Sequence, residues 1–141
     1  MAIRSRNLYN PEGEKPFKLS RSKVDNYVSC KRCFYIDRRL GVGQPPGFPF
    51  NINSAVDELL KNEFDQYREL GKPHPYMESV NRNLIPFKHE KLDDWRQNFK
   101  GVQFHDKETN FILTGAVDDL WYDIDTEEVI VVDYKATSKN S

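Results

Sequence analysis

The chain has 141 residues, 30% of them Asp, Glu, Lys or Arg, with a net charge of −1 and an aromatic share of 13%. That length suits one domain with a real hydrophobic core, and the aromatic share argues for a folded chain and against a disordered one. No apolar run approaches the ~20 residues of a membrane span, the N-terminus has no signal-peptide core, and no overall basicity advertises a nucleic-acid partner, although a local basic patch can suffice. The chain is therefore expected to be soluble and cytoplasmic, with no membrane partner. Its two cysteines, Cys30 and Cys33, are expected as thiols or metal ligands and not as a disulfide.

Residues 1–18 carry Arg4, Arg6, Lys15 and Lys18 against Glu12 and Glu14, interrupted by Pro11, Gly13 and Pro16, the composition of a flexible, slightly basic arm. The folded domain is expected over residues 19–141. Ser20 and Ser22 are N-cap candidates, and Asp25 sits three after Ser22 as in a capping box. Val24, Tyr27, Val28, Phe34 and Tyr35 recur at roughly helical spacing. A helix is expected to Leu40, kinked near Cys30 and stopped by Gly41 and Gly43. The stretch from Gly41 to Phe50 reads as an aromatic-rich loop packed over one side of the core.

The clearest helix runs from about Asn53 to Leu70, with Ala55, Val56, Leu59, Leu60, Phe64 and Tyr67 on its apolar face. Asp57, three before Leu60 and seven before Phe64, borders that face. Residues 72–88, with Pro73, Pro75 and Pro86, read as an irregular connection. A short helix over His89 to Phe99 would turn Leu92, Trp95 and Phe99 inward, and a strand is expected at Val102–Asp106. His74, His89 and His105 show no ligand spacing and read as surface or loop residues. Helices followed by a strand meander place the fold in the α/β (α+β) class, with N-terminal helices leading into a mixed β-sheet.

The most distinctive stretch is Gly115 to Lys135, two apolar runs around the polar segment Asp123 to Glu128, which is a β-hairpin signal. Asp133 and Lys135 follow four β-branched residues and share one strand face, about 7 Å apart along the backbone. Asp118 lies alongside on the first run. An Asp-x-Lys pair alone is commonly a surface ion pair. At the end of a strand expected to be buried, however, an unneeded Asp and Lys would carry a desolvation cost. Gly115, three before Asp118, reads as a point of close backbone approach. Hard cations such as Mg²⁺ want oxygen ligands, often one or two carboxylates with waters and substrate phosphate. Asp118 and Asp133 can supply them, with the backbone carbonyl of Tyr134 between Asp133 and Lys135 and with Asp57 adding a carboxylate from the helix. Lys135 could orient a metal-bound water and stabilise the charge that builds on a phosphate. Asp119, of opposite strand parity, is expected to point outward or to bond locally.

These motifs, in this order, resemble the PD-(D/E)XK nuclease superfamily, and specifically its RecB-like group of CRISPR-adaptation nucleases and helicase-linked exonucleases. The resemblance rests on Ser20-Arg21-Ser22-Lys23-Val24, Tyr27, Cys30-Lys31-Arg32-Cys33-Phe34-Tyr35, Gly115-Ala116-Val117-Asp118 and Asp133-Tyr134-Lys135. It implies a restriction-endonuclease-like core and a Mg²⁺- or Mn²⁺-dependent deoxyribonuclease, exonuclease or endonuclease. It further implies Asp118 and Asp133 as metal ligands, Lys135 acting on the attacking water, DNA as partner, and a helicase, integrase or other DNA-processing protein as a further one. Where the family often has a histidine ligand on its second helix, this chain has Asp57. The family's helix after the lysine, with a Gln-x-x-x-Tyr-like motif, has no counterpart before the chain ends at Ser141, so the domain is expected to be truncated there. Cys30 matches the first cysteine of iron–sulfur members, but no downstream cysteines follow. An iron–sulfur cluster is therefore not expected, and Cys30 stays a candidate for half of a zinc site or a packed core residue. The alternative function is a non-catalytic nucleic-acid- or protein-binding module on the same fold, and the plainest reading of all is a small structural domain.

Overall fold

The structure, a computed structural model, describes residues 3–45 and 51–135. The end of the loop expected up to Phe50 and everything after Lys135 lie outside the described residues. In chain order the elements are β1 (Phe17–Ser20), α1 (Arg21–Ser29), α2 (Lys31–Leu40), α3 (Asn51–Leu70), α4 (Pro75–Glu78), β2 (Leu84–Pro86), α5 (Leu92–Trp95), β3 (Val102–Asp106), β4 (Phe111–Gly115), β5 (Asp119–Asp123) and β6 (Glu128–Val132). The α/β class is as expected, but the strands form two three-stranded sheets instead of one mixed sheet. By contacts the chain forms two compact units, residues 1–48 with 102–115 and residues 49–101 with 116–141, a finer division than the single domain expected from residue 19.

In the first unit the strand order is β1-β4-β3, with β1 parallel to β4 and β3 antiparallel to it. Among its described residues Leu19 is the buried apolar one, and Tyr9, Phe17 and Phe111 pack edge to face on one another, with centroids 5.3–6.3 Å apart. The expected kinked helix is two helices. Cys30 takes an extended conformation (φ −156°), ends α1 and caps α2, its Sγ accepting from the Cys33 N–H at 3.2 Å. α2 ends at Gly41 with φ 74°, where any Cβ would collide with the Arg4 carbonyl oxygen. Glycine is required there on both counts. The close approach comes from the segment expected as a loose arm: the Arg4 N–H donates to the Gly41 carbonyl (2.9 Å) and the Tyr9 N–H to that of Arg38 (2.8 Å). Backbone donors near the end of α2 thus meet carbonyls that the helix leaves unpaired.

The second unit sets α3 against the antiparallel sheet β2-β5-β6. Its core is Phe64, Met77 and Leu84, with Leu60, Trp121, Ile130 and Tyr134 packed against them. β2 lies in the stretch read as irregular. Pro86 hid it, yet an edge strand tolerates a residue without an N–H donor. His74 is not a surface residue: it is 1% exposed, stacks on Phe64 at 4.0 Å and accepts from the Tyr76 N–H through Nδ1. Phe99 faces outward at 93% exposure, because α5 stops at Trp95 and carries no face that far. Leu59 is likewise outward, while Phe64 holds the buried line of α3.

The expected hairpin is β5–β6, with a four-residue turn in which Asp123 Oδ1 accepts from the N–H groups of Asp125 (3.0 Å) and Thr126 (3.3 Å). Its first strand does not begin at Gly115. That residue ends β4 opposite Val102, and a Cβ there would meet nothing within 4 Å, so no close approach explains it. Among the described residues no helix is long and apolar enough to cross a membrane.

Candidate metal centre

The β5–β6 ladder ends at the pair Asp119 and Val132. Asp118 and Asp133 are therefore the first residues beyond it, on adjacent strand ends. Outside a ladder the backbone amides need other partners, and the N–H of Tyr134 finds one in Asp118 Oδ2 at 2.8 Å. This bond points the other oxygen, Oδ1, at a lysine that the sequence reading passed over. Lys61 Nζ lies 3.3 Å from Asp118 Oδ1 and 2.7 Å from Asp57 Oδ2, so one cation bridges two of the three predicted carboxylates. Asp57 and Lys61 are one helical turn apart on α3, an (i, i+4) spacing that could have flagged the pair in the sequence. Asp57 Oδ1 is buried and has no hydrogen-bond partner.

Asp133 and Lys135 are paired with each other, and both side chains are well exposed, at 58% and 74%. The structure thus brings Asp57 and Asp118 together around a cation and leaves Asp133 with Lys135 at the surface. Tyr134 meets this cluster through its N–H, on Asp118, and its hydroxyl, on Asp119, and not through the carbonyl predicted as a ligand. Among the described residues no three His, Cys, Asp or Glu side chains gather closely enough to enclose a metal ion.

Asp119 is the larger correction. It is fully buried, neither outward nor merely local. One of its oxygens accepts from the Leu120 N–H (2.7 Å), from Arg96 (3.1 Å) and from Arg68, and the other from the Tyr134 hydroxyl (2.7 Å). Asp65 joins both arginines from the same helix as Arg68. Burial pushes the Tyr134 hydroxyl well above the usual phenol range, and the hydrogen bond to Asp119 with its charge adds to this, so it remains a donor. Burial disfavours the charge on Arg96, but its bonds to Asp65 and the charge of Asp119 outweigh that and raise its pKa. Arg96 also donates through Nε to the carbonyl of Asp118 at 3.0 Å. The buried network therefore grips Asp118 through its carbonyl and, by way of Tyr134, through its carboxylate.

The residues fit a divalent cation. Two carboxylates already share a positive charge, one buried oxygen lacks any partner, and Mg²⁺ asks for no more than one or two protein carboxylates. Cys30 does not fit a cluster or zinc. It is joined to Cys33 as a disulfide, with Cα atoms 5.3 Å apart, because the break between α1 and α2 sets Cys30 at the N-cap of α2, one turn before Cys33. A sulfur in a disulfide is not the thiolate that metals bind.

Among comparisons with known proteins, the model of one family, described as the PD-(D/E)XK nuclease superfamily, matches residues 18–141. No curated protein and no solved structure matches the chain.

Proposed function

The chain belongs to the PD-(D/E)XK nuclease superfamily, and on that premise we propose that its second unit is a metal-dependent nuclease centre that hydrolyses DNA phosphodiester bonds. The observation that carries this is the Lys61 bridge between Asp57 and Asp118 beside the unpartnered oxygen of Asp57. A cation held there by both carboxylates supports their role as ligands for Mg²⁺ or Mn²⁺. When bound, such an ion polarises a phosphodiester and lowers the pKa of a coordinated water.

The chain's own residues do the rest. The Tyr134 N–H and the Arg96 guanidinium fix Asp118 at both its carboxylate and its carbonyl, so Oδ1, the oxygen that meets Lys61, is held in a preset direction. Lys135, carried on the strand end beside Asp133, is the group that would orient the attacking water and oppose charge on the phosphate. Asp133, paired with Lys135 at the surface, is the third proposed ligand. The motif series from Ser20 to Tyr35 supports the finer reading as a RecB-like member, working with a helicase, integrase or other DNA-processing protein.

A second reading has its own support. Asp133 and Lys135 neutralise each other at the surface, which suits a nuclease-like fold that binds without cutting. Cleavage assays on labelled DNA with Mg²⁺ or Mn²⁺ separate the two. The nuclease reading expects metal-dependent cutting that falls by about a hundredfold or more in Lys135→Ala and in Asp118→Asn. Binding without cutting in the wild-type chain selects the second reading.

A further inference from the structure

The proposed centre leaves the first unit without a task, and that unit has the features of a second site. Its residues, 1–48 and 102–115, carry eleven Lys and Arg against six Asp and Glu, a net charge of +5 within a chain whose total is −1. It also contains a pocket of about 630 Å³. That size lies within the usual range for sites taking a small organic group.

The lining is unusually aromatic. Tyr9, Phe17 and Phe111 form one wall, held edge to face by one another. Tyr27 and Phe34 form another, with centroids 5.3 Å apart, and Tyr35 joins them from α2. Tyr27 and Tyr35 keep 45% and 55% of their surface exposed. Each wall has a cation above it: Arg39 lies 6.0 Å from the centroid of Tyr9, and Lys31 Nζ lies 5.7 Å from that of Tyr27. Arg38 also lines the pocket, but its charge is taken by Asp37. Among the described residues neither Lys31 nor Arg39 has a carboxylate partner, although one nitrogen of Arg39 donates to the Tyr9 carbonyl.

We propose that this pocket holds an unpaired nucleobase of a single-stranded nucleic acid, with Lys31 and Arg39 meeting the flanking phosphates. Aromatic faces are what a base leaving a stack needs, and every base has such a face. An apolar peptide or lipid would fill the rings equally well, but it gives no use to two uncompensated cations on a unit of net positive charge. A paired base inside a duplex cannot enter a pocket of this kind without being flipped out. The inference rests on the nucleic-acid reading above and adds to it a substrate class, the single strand, and a place where that strand is held.

The test is binding, measured with the metal removed by chelation so that cutting plays no part. A fluorescent oligothymidylate is titrated against the full chain by anisotropy, beside an abasic strand of equal length and a duplex. The wild type is expected to bind the oligothymidylate about tenfold or more tighter than the abasic strand, and Tyr27→Ala to lose that advantage while Tyr27→Phe keeps it. Because Tyr27 also packs on Phe34, circular dichroism and amide exchange of α1 check that the alanine variant keeps its fold, and Tyr35→Ala, at a ring 55% exposed, provides a second variant. Equal affinity for the normal and abasic strands overturns the proposal, as does tighter binding of duplex or an unchanged affinity in both alanine variants. A chain that binds in this way yet never cuts with Mg²⁺ or Mn²⁺ keeps the pocket and overturns the nuclease reading, so the two failures are told apart.

Discussion

Asp119 is a fully buried carboxylate whose charge is opposed by Arg68 and Arg96 and whose oxygens accept from Leu120 and Tyr134. A buried charge so completely bonded is tolerated, but removing it leaves two guanidinium groups short of compensation. Asp119→Ala is expected to cost about 3–5 kcal/mol of stability, read from urea unfolding. Tyr134→Phe, which deletes one bond to that charge, should cost less, about 1–3 kcal/mol. At the candidate centre, the single charge of Lys61 is shared by Asp57 and Asp118 and offsets half of theirs in the absence of metal. Lys61→Met should therefore lower the melting temperature of the metal-free chain and enlarge the rise that Mg²⁺ produces, since binding to the native state stabilises by mass action. A Mg²⁺-induced rise no larger than that of the wild type would count against Asp57 and Asp118 as ligands.

Helix α1 buries none of its residues, so its attachment to α2 depends on particular side chains. Lys23 reaches Asp37 at 2.7 Å, and Tyr27 packs edge to face on Phe34. Asp37 also meets Arg38 at 2.8 Å and Arg4 at 3.1 Å. Burial disfavours its charge, but the hydrogen bonds from Lys23 and Arg38 outweigh that and hold its carboxyl below the ordinary aspartate range. A carboxyl whose pKa is lower when folded stabilises above its unfolded value of about 3.9 and loses that contribution as pH falls through the lowered value. Protection of the α2 amides against hydrogen exchange should accordingly weaken as the solution is acidified below about pH 4. Asp37→Asn should lower that protection at neutral pH, by about 2–3 kcal/mol given that Lys23 and Arg4 are partly exposed, and flatten its pH dependence.

At the scale of the molecule, a near-neutral chain conceals two units of opposite sign. The first carries +5, and the second has ten Lys and Arg against sixteen Asp and Glu, a net −6. An acidic unit attracts divalent cations, and a basic one attracts a polyanion. DNA binding by the chain should therefore weaken steadily with salt. With roughly three phosphates neutralised on a single strand, the logarithmic slope should be near −2, at about −0.7 for each. A binding constant indifferent to salt would exclude the basic unit as the electrostatic footprint.

Much of this was legible in the chain alone. Glycine at position 41 must end a helix, apolar periodicity marks α3, and the polar turn between Leu120 and Val129 marks the β5–β6 hairpin, because these signals come from local backbone sterics and from side-chain period. The α/β class and the candidates Asp57, Asp118, Asp133 and Lys135 follow from the same local patterns, read together with the resemblance. What local pattern could not carry was which partners would meet. Asp118 and Asp119 are neighbours in sequence, and only packing set one facing Lys61 and buried the other among Arg68, Arg96 and Tyr134. His74 is polar by composition, yet stacking on Phe64 places it in the core. The sulfurs of Cys30 and Cys33 were brought together by a helix break whose angle no spacing rule specifies. Periodicity determines which face a side chain takes on its own element; the burial of charge and the company it keeps depend on elements distant in sequence, and only the tertiary structure decided them.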